Sequence, residues 1–243
     1  MPRNRAAVEI AVQDVAGVRV ALAAGADRVE LCVALGTGGL TPSAGLVAAA
    51  VEEAAGAGRP DLVHVLVRPR GGGFVYDADE LDTTLADVRF ARRAGAAGVV
   101  VGALDETGRI DRAALERFVA AAGDLDVTFH RAFDTLADQD TAAETLIDLG
   151  VTRVLTSGGA ARSIDGAGRL RALAQRVGGR LQVMAGGGVR VQDIPELIAA
   201  GVDAVHLSAR QTVSGPSSGP GGGDAHYDIT DPLTVRAAVA ATR

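Results

Sequence analysis

The chain has 243 residues, 48% of them hydrophobic, and a formal net charge of -6. This length suits one large domain, and the acidic balance argues against a general nucleic-acid-binding protein, which is usually basic. We expect a cytoplasmic protein without a signal peptide or membrane-spanning helix, because no apolar run is long enough for either and the single cysteine, Cys32, fits a reducing compartment.

Eight short β-rich runs alternate along the chain with Ala-rich stretches of helical spacing. After the first run, Val15, Val18 and Leu22 recur on one helical face. Residues 41–43, Thr-Pro-Ser, predict the start of the second helix with Pro42 in its first turn. The β-rich runs cover residues 6–12, 27–33, 61–69, 97–104, 126–133, 152–159, 180–189 and 203–209.

Glycine marks the ends of four predicted helices. Gly25, Gly95, Gly150 and Gly201 each follow an Ala- or Leu-rich stretch and precede a strand. Helices commonly end at a residue in the left-handed conformation, which glycine adopts without strain. The repeated order of helix, glycine, short turn and strand predicts a chain built from successive βα units.

Eight such units in a chain of this length predict a single (β/α)8 TIM barrel over residues 1–243. The alternative is an open doubly wound sheet, which usually has a GxGxxG turn after its first strand, where this chain has AVQDVAG. The Ser-, Gly- and Pro-rich segment 213–228 predicts a flexible βα loop after the eighth strand, either a lid or a disordered insertion. Ala and Val on the outer helical faces leave room for a homodimer.

Ionisable residues collect at the predicted strand ends. The stretch VTFHRAFD, residues 127–134, begins as a buried strand and then places His130, Arg131 and Asp134. Burying such groups unpaired is costly, but the active site of a TIM barrel lies at the carboxyl ends of its strands. We therefore expect these side chains at a polar barrel mouth.

Other strands carry ionisable groups of the same kind. Because alternate residues of a strand share a face, Glu30 and Cys32 face one way, as do His64, Arg68 and Arg70. Carboxylates inside a barrel need a cation, and pairing with Arg68 or Arg131 is as compatible with a structural role as with catalysis. The histidines, too, are either hydrogen-bonded core residues or proton carriers. The predicted catalytic candidates are Glu9, Glu30, His64, His130 and Asp134.

A glycine run after the seventh strand suggests an anion site. Barrels often bind phosphate through backbone N–H groups in the loops after strands seven and eight, where this chain has Gly186–Gly188 and Ser208. Guanidinium groups suit carboxylates and phosphates. A tight turn and a solvated loop are the alternatives. The predicted anion-binding residues are Arg68, Arg70, Arg131, Gly187, Gly188 and Ser208.

A metal site is suggested by one residue only. Cys32 is a soft ligand suited to Cu(I) or zinc, whereas neither CxxC nor HExxH occurs in the sequence. The alternative is that Cys32 is a small core residue.

Several unusual motifs, spread in order over most of the chain, resemble the CutC family. This resemblance implies a cytoplasmic (β/α)8 barrel with a role in copper homeostasis. On this hypothesis the protein binds Cu(I) weakly or indirectly, with Cys32 as the ligand, helped by Met184 or a nearby histidine. The matching motifs are DRVELC…GGLTPS (27–43), VRPRGGGFVY (67–76), VTFHRAFD (127–134), LTSGG (155–159), AGGGVR (185–190) and VHLSA (205–209).

The sequence departs from the family pattern mainly at its thiols. Ala11, Val75 and Thr135-Leu136 stand where many members have cysteine, and the loop after the eighth strand lacks the family's Arg-Tyr-Arg-Asn-like segment. The acidic, basic and imidazole positions match, with His206 among them. Three hypotheses follow: a copper homeostasis protein, an enzyme (lyase, isomerase or hydrolase) acting on a small anionic or phosphorylated metabolite, and a barrel that binds such a metabolite without chemistry.

Overall fold

The structure, a computed structural model, describes residues 5–216, 219–220 and 225–243. Eight parallel strands follow one another in chain order around a closed barrel, with β1 pairing β8. They are β1 (Ala7–Val12), β2 (Arg28–Leu31), β3 (Val63–Leu66), β4 (Gly98–Val101), β5 (Asp126–Phe129), β6 (Arg153–Thr156), β7 (Gln182–Gly186) and β8 (Ala204–Leu207). The predicted TIM barrel is confirmed, and each strand lies within its predicted run.

Helices connect the strands and surround the barrel. They are α1 (Val15–Ala24), α2 (Ala44–Gly56), α3 (Ala78–Arg93), α4 (Arg112–Ala122), α5 (Gln139–Asp148), α6 (Ala167–Val177), α7 (Ile194–Ala199) and α8 (Pro232–Ala240). Within the described part of the chain, none of them has the length and apolar character to cross a bilayer.

The residues predicted to begin or end helices have the expected positions, with one exception. Gly25, Gly95, Gly150 and Gly201 all have left-handed backbone conformations, with φ between 74° and 89°. Pro42, however, lies before α2, because the Ser43 hydroxyl caps this helix by accepting a hydrogen bond from the backbone N–H of Leu46. The prediction that Pro42 lies in the first turn was therefore wrong.

Side-chain alternation along each strand separates two environments. On β1, Val8, Ile10 and Val12 point outward and join the main hydrophobic core with the helices. The intervening Ala7 and Ala11 belong to two smaller apolar clusters, and Glu9 lies between them in sequence. The interior of the barrel therefore has a charged layer between apolar ones, whereas a TIM barrel interior is usually dominated by bulky branched aliphatic side chains.

The expected loop over 213–228 is replaced in part by regular structure. After β8 the chain forms β9 (Arg210–Ser214), which pairs antiparallel with β10 (His226–Thr230). Thr212 lies opposite Asp228 and donates a hydrogen bond of 2.7 Å to its carboxylate. The β-branched and aromatic residues at both ends of the segment favour strands, which the Gly and Pro content obscured. Residues 217–218 and 221–224 of the predicted loop lie outside the described residues.

Two glycines of β4 and its end make room for histidines of the neighbouring strands. A Cβ at Gly98 would overlap the His64 ring and lie 2.8 Å from the carbonyl oxygen of Asp126. A Cβ at Gly102 would lie 2.5 Å from His130 Nδ1. The absence of a side chain at these two positions thus allows two imidazoles inside the barrel.

We expect Gly98→Ala to lower the free energy of unfolding by about 1–3 kcal/mol, because overpacked interiors are strained. Gly168→Ala is the matched control, since no atom of the described residues lies within 4 Å of the added Cβ and alanine favours the α6 helix by up to about 1 kcal/mol. Urea unfolding measures both. Equal effects of the two substitutions would contradict the packing argument.

Candidate functional site

A cavity of about 340 Å³ opens among the carboxyl ends of the strands. Apolar side chains such as Leu66 and Phe74 form part of its wall, and charged or polar residues from the ends of several strands form the rest. These polar lining residues are Glu30, Arg68, His130, Arg131, His206, Ser208 and Arg210, with Gly187 and Gly188 at one edge.

The structure brings together seven of the predicted site residues: Glu30, Arg68, His130, Arg131, Gly187, Gly188 and Ser208. The other five predicted residues, Glu9, His64, Arg70, Asp134 and Cys32, are not part of the cavity lining. Their contacts give each of them a different role.

A line of alternating charges crosses the barrel interior beneath the cavity. Arg28 Nε lies 2.9 Å from one Glu9 carboxylate oxygen, and His206 Nδ1 lies 2.9 Å from the other. On its opposite side, His206 Nε2 lies 3.8 Å from a carboxylate oxygen of Glu30. Glu9 is fully buried, whereas Glu30 and His206 reach the cavity floor.

The pKa values along this line diverge. Burial alone would raise the pKa of Glu9, but Arg28 and His206 outweigh it and hold the pKa well below its ordinary value. Burial raises the pKa of Glu30 to about 7, with His206 opposing the shift and Glu9 adding to it. Burial would lower the pKa of His206, yet the two carboxylates raise it. Glu9 is therefore a fixed anion, whereas Glu30 sits near its ionisation midpoint at neutral pH.

His64 is buried beside this line, and its Nδ1 has no hydrogen-bond partner among the described residues. Burial lowers its pKa to about 4, a shift that nearby arginines reinforce and Glu9 opposes. The imidazole is therefore neutral inside the barrel and does not face the cavity.

Arg68 lies in the cavity wall with only 7% of the residue exposed. Its terminal nitrogens donate hydrogen bonds to the carbonyl oxygens of Thr37, Gly39 and Gly72. Its Nε has no partner, and none of the ion pairs within the described ranges includes this guanidinium. The β3–α3 loop thus places a buried cation without a carboxylate counter-ion beside the cavity.

His130 lies next to Arg68 under the same aromatic ring. The Phe74 ring centroid is 4.9 Å from that of His130 and 5.1 Å from Arg68 Cζ. Burial and the neighbouring Arg68 lower the pKa of His130 to about 3, so the ring is neutral. Its Nδ1 accepts a hydrogen bond from the backbone N–H of Ala132. This contact leaves the proton on Nε2, which has no acceptor among the described groups.

Asp134 organises the loops rather than lining the cavity. Its carboxylate accepts hydrogen bonds from the Thr156 hydroxyl at 2.5 Å and from the backbone N–H of Ser157 at 2.9 Å. It also accepts one from Arg131 Nε at 2.8 Å. These contacts fix the Arg131 guanidinium, 43% of whose side chain stays exposed, at the cavity mouth.

Gly187 is needed for this placement of Arg131. Its backbone is left-handed, with φ of 117°, and a Cβ there would lie 2.9 Å from Arg131 Cζ. Gly188 is also left-handed and packs on Arg162. The turn after β7 thus brings its backbone against an arginine at the cavity edge.

Arg70 lies outside the site. It forms an ion pair with Glu80 of α3 and donates hydrogen bonds to the carbonyl oxygens of Gly73 and Val75. Although Arg70 and Arg68 flank the same proline, only Arg68 turns toward the cavity.

Cys32 is fully buried among Ala11, Leu66 and Val100. Burial, reinforced by Glu30, raises the pKa of its thiol, which keeps the sulfur protonated. Met184, the other suggested soft ligand, belongs to a separate cluster and accepts a 3.6 Å contact from Arg28. The described residues therefore do not assemble a thiolate site around Cys32.

Sequence reasoning missed three residues of the site, Arg28, Phe74 and Arg210. It also missed the role of His206, which lies between Glu9 and Glu30 and contacts both. Parity along β2 and β8 gives a signal for two of them, because Arg28 and His206 share faces with Glu30 and Ser208 respectively. Arg210 is the first residue of β9 and forms an ion pair with Asp228 of β10 at 3.1 Å. Its place depends on the hairpin, which the sequence analysis did not predict.

Comparison with known proteins confirms the resemblance seen in the motifs. The model of the CutC family matches residues 6–211. The chain belongs to the CutC family. A CutC family protein of Xylella fastidiosa is 43% identical over 239 residues, which cover 95% of this chain and 86% of that protein. One from Agrobacterium fabrum is 46% identical over 191 residues, covering 79% of this chain and 74% of the relative.

A solved CutC structure shares the fold. The protein from Streptococcus agalactiae, which carries the name copper homeostasis protein, is 31% identical with a TM-score of 0.79. The match covers 84% of this chain and 98% of that one. Family and fold are therefore both established for this chain.

The neutral state of His130 predicts a pH dependence of stability. The unfolded chain protonates this histidine below about pH 6.5, whereas the folded protein resists protonation down to about pH 3. Its contribution is therefore present above pH 6.5 and is lost as the pH falls toward 3. Between about pH 6.5 and 4, we expect wild-type stability to fall more steeply than that of His130→Gln, by up to about 1.4 kcal/mol per pH unit.

Urea unfolding at several pH values measures this difference in slope. His226→Gln, which removes an exposed imidazole from β10, is the matched control for the loss of a histidine. Parallel curves for wild type and His130→Gln would show that His130 titrates alike in both states.

Proposed function

We propose that this CutC-family barrel is an enzyme that binds a small anionic organic molecule in the cavity at its mouth. The observation that carries this proposal is Arg68, a buried guanidinium in the cavity wall without a carboxylate partner in the described structure. A buried charge is costly unless it is paired. An anionic ligand supplies the missing partner.

Hydrogen bonding supports the same class of ligand. Arg68 Nε and His130 Nε2 are both donors without an acceptor among the described residues, and both atoms are shielded from solvent. A buried donor left unsatisfied costs about 1–3 kcal/mol. Because both atoms are buried, a neighbouring group has to shift for a carboxylate or phosphate to accept from them, and we propose that it is the Phe74 ring, which packs on both side chains.

Two further arginines at the mouth add positive charge to the cavity that Arg68 and His130 line. Arg131 and Arg210 line the same cavity, each held by an aspartate, and the Gly187–Gly188 turn supplies backbone close by. Below them, the floor consists of Glu30 and His206. The anion is thus held at the wall and mouth, while its uncharged part meets reactive groups at the floor. Lyase, isomerase and hydrolase chemistry all fit a cavity with anion-binding groups at its wall and mouth and reactive groups at its floor.

Thermal stability with added ligand tests the proposal, because a ligand that binds only the folded form raises the melting temperature. We expect inorganic phosphate or members of a panel of phosphorylated and carboxylated metabolites to raise it. A ligand at 100 times its Kd adds about 2.7 kcal/mol. Arg68→Met should abolish the shift.

Arg70→Met is the matched control, because it removes the same group from the same loop outside the cavity. It should retain the ligand-induced shift. A shift that survives Arg68→Met, or no shift with any anion, would contradict the proposal.

Copper homeostasis is the second candidate, and family membership favours it, since the Streptococcus agalactiae relative carries that name. A Cu(I) site needs soft donors, and Cys32 offers the thiol. Its raised pKa and apolar surroundings do not fit direct Cu(I) binding in this conformation.

Competition for Cu(I) against a colorimetric chelator measures this directly. We expect Cys32→Ser to bind Cu(I) as weakly as the wild type does. A wild-type affinity that falls by about a hundredfold or more in Cys32→Ser would instead establish the thiol as a ligand.

A further inference from the structure

The Glu30 carboxylate is unusual among the buried anions of this protein. Only 5% of the residue is exposed, and it accepts no hydrogen bond within the described ranges. Among the residues that the structure describes, its one ion-pair contact is with His206 Nε2, at 3.8 Å, beyond hydrogen-bond distance. A buried carboxylate that accepts no hydrogen bond from the described residues can accept a cation instead.

His206 is held in the orientation that a metal ligand requires. Its Nδ1 lies 2.9 Å from Glu9 Oε1, and Glu9 is in turn fixed by Arg28 at 2.9 Å. When Nδ1–H donates to Glu9, the lone pair of Nε2 is directed toward Glu30. Histidines that bind metals almost always donate their other ring N–H to a carboxylate, carbonyl or water.

We propose that His206 Nε2 and the Glu30 carboxylate bind a divalent transition-metal cation at the floor of the cavity, with Glu9 positioning His206. Ligand atoms of Glu9, Glu30 and His206 lie within 4.8 Å of one another. Bonds of about 2.1 Å from nitrogen and oxygen to the metal span the 3.8 Å between His206 Nε2 and Glu30. One ion can therefore contact both groups without movement of the backbone.

The donor set selects the class of metal. One imidazole nitrogen and one carboxylate oxygen suit Zn²⁺ or Mn²⁺ and do not suit Cu(I), which prefers thiolate and thioether ligands. The remaining coordination positions face the cavity, where water or an anionic ligand fills them. This site does not depend on the function proposed above, because metal binding is measured without any organic ligand.

Calorimetric titration of the full chain with Zn²⁺ and Mn²⁺, in the absence of phosphate, tests the site. Glu30→Gln removes the negative ligand and keeps its shape, and we expect it to weaken binding by at least about tenfold. Glu53→Gln, which alters an exposed ion pair on α2, is the matched control and should bind like the wild type. Circular dichroism checks that both variants fold.

The visible spectrum of bound Co²⁺ identifies the donors independently. We expect absorption bands of a nitrogen and oxygen environment that are lost in Glu30→Gln and unchanged in Cys32→Ser. Failure of the wild type to bind Zn²⁺, Mn²⁺ or Co²⁺ at millimolar concentration would overturn the proposal. So would binding that Glu30→Gln leaves intact, or a thiolate charge-transfer band that Cys32→Ser removes.

Discussion

The negative charge of Glu9 at the centre of the barrel is the constraint on which the site depends. Arg28 binds one of its oxygens and His206 the other, so the positions of all three side chains are fixed together. Replacing a buried ion pair by apolar residues often leaves stability unchanged or increases it. A charged interior in place of aliphatic layers is therefore better explained by function than by stability, and it places His206 against Glu30 at the cavity floor.

Small residues make this charged interior possible. Gly98 and Gly102 leave space for His64 and His130, and alanines occupy several inward positions of β1 and β8. The low aromatic content, 3% of the chain, fits an interior with few bulky rings. Loops complete the arrangement, because Asp134 holds Arg131 and three backbone carbonyls hold Arg68. Hydrogen bonds thus hold both Arg68 and Arg131 in place at the cavity.

The sequence predicts the barrel well because its signals are local and repeated. Alternating βα units, helix-ending glycines and strand parity all depend on neighbouring residues, and each strand lies within its predicted run. Predictions failed where position depends on distant contacts. Strand parity alone does not separate Arg68 from Arg70, because only Arg70 forms the ion pair with Glu80 that holds it outside the cavity. Parity also does not reveal that Asp134 accepts hydrogen bonds from Thr156 and Ser157 at the end of β6. The hairpin of β9 and β10 was obscured by the composition of the segment between them.

A crystal structure of the protein grown with phosphate tests the central claim, a cavity built around an unpaired buried cation, most directly. We predict a phosphate in the cavity within hydrogen-bond distance of Arg68 or His130, with Phe74 displaced from its present contact. A cavity without phosphate at saturating concentration, with Arg68 Nε still unpartnered, would contradict the account.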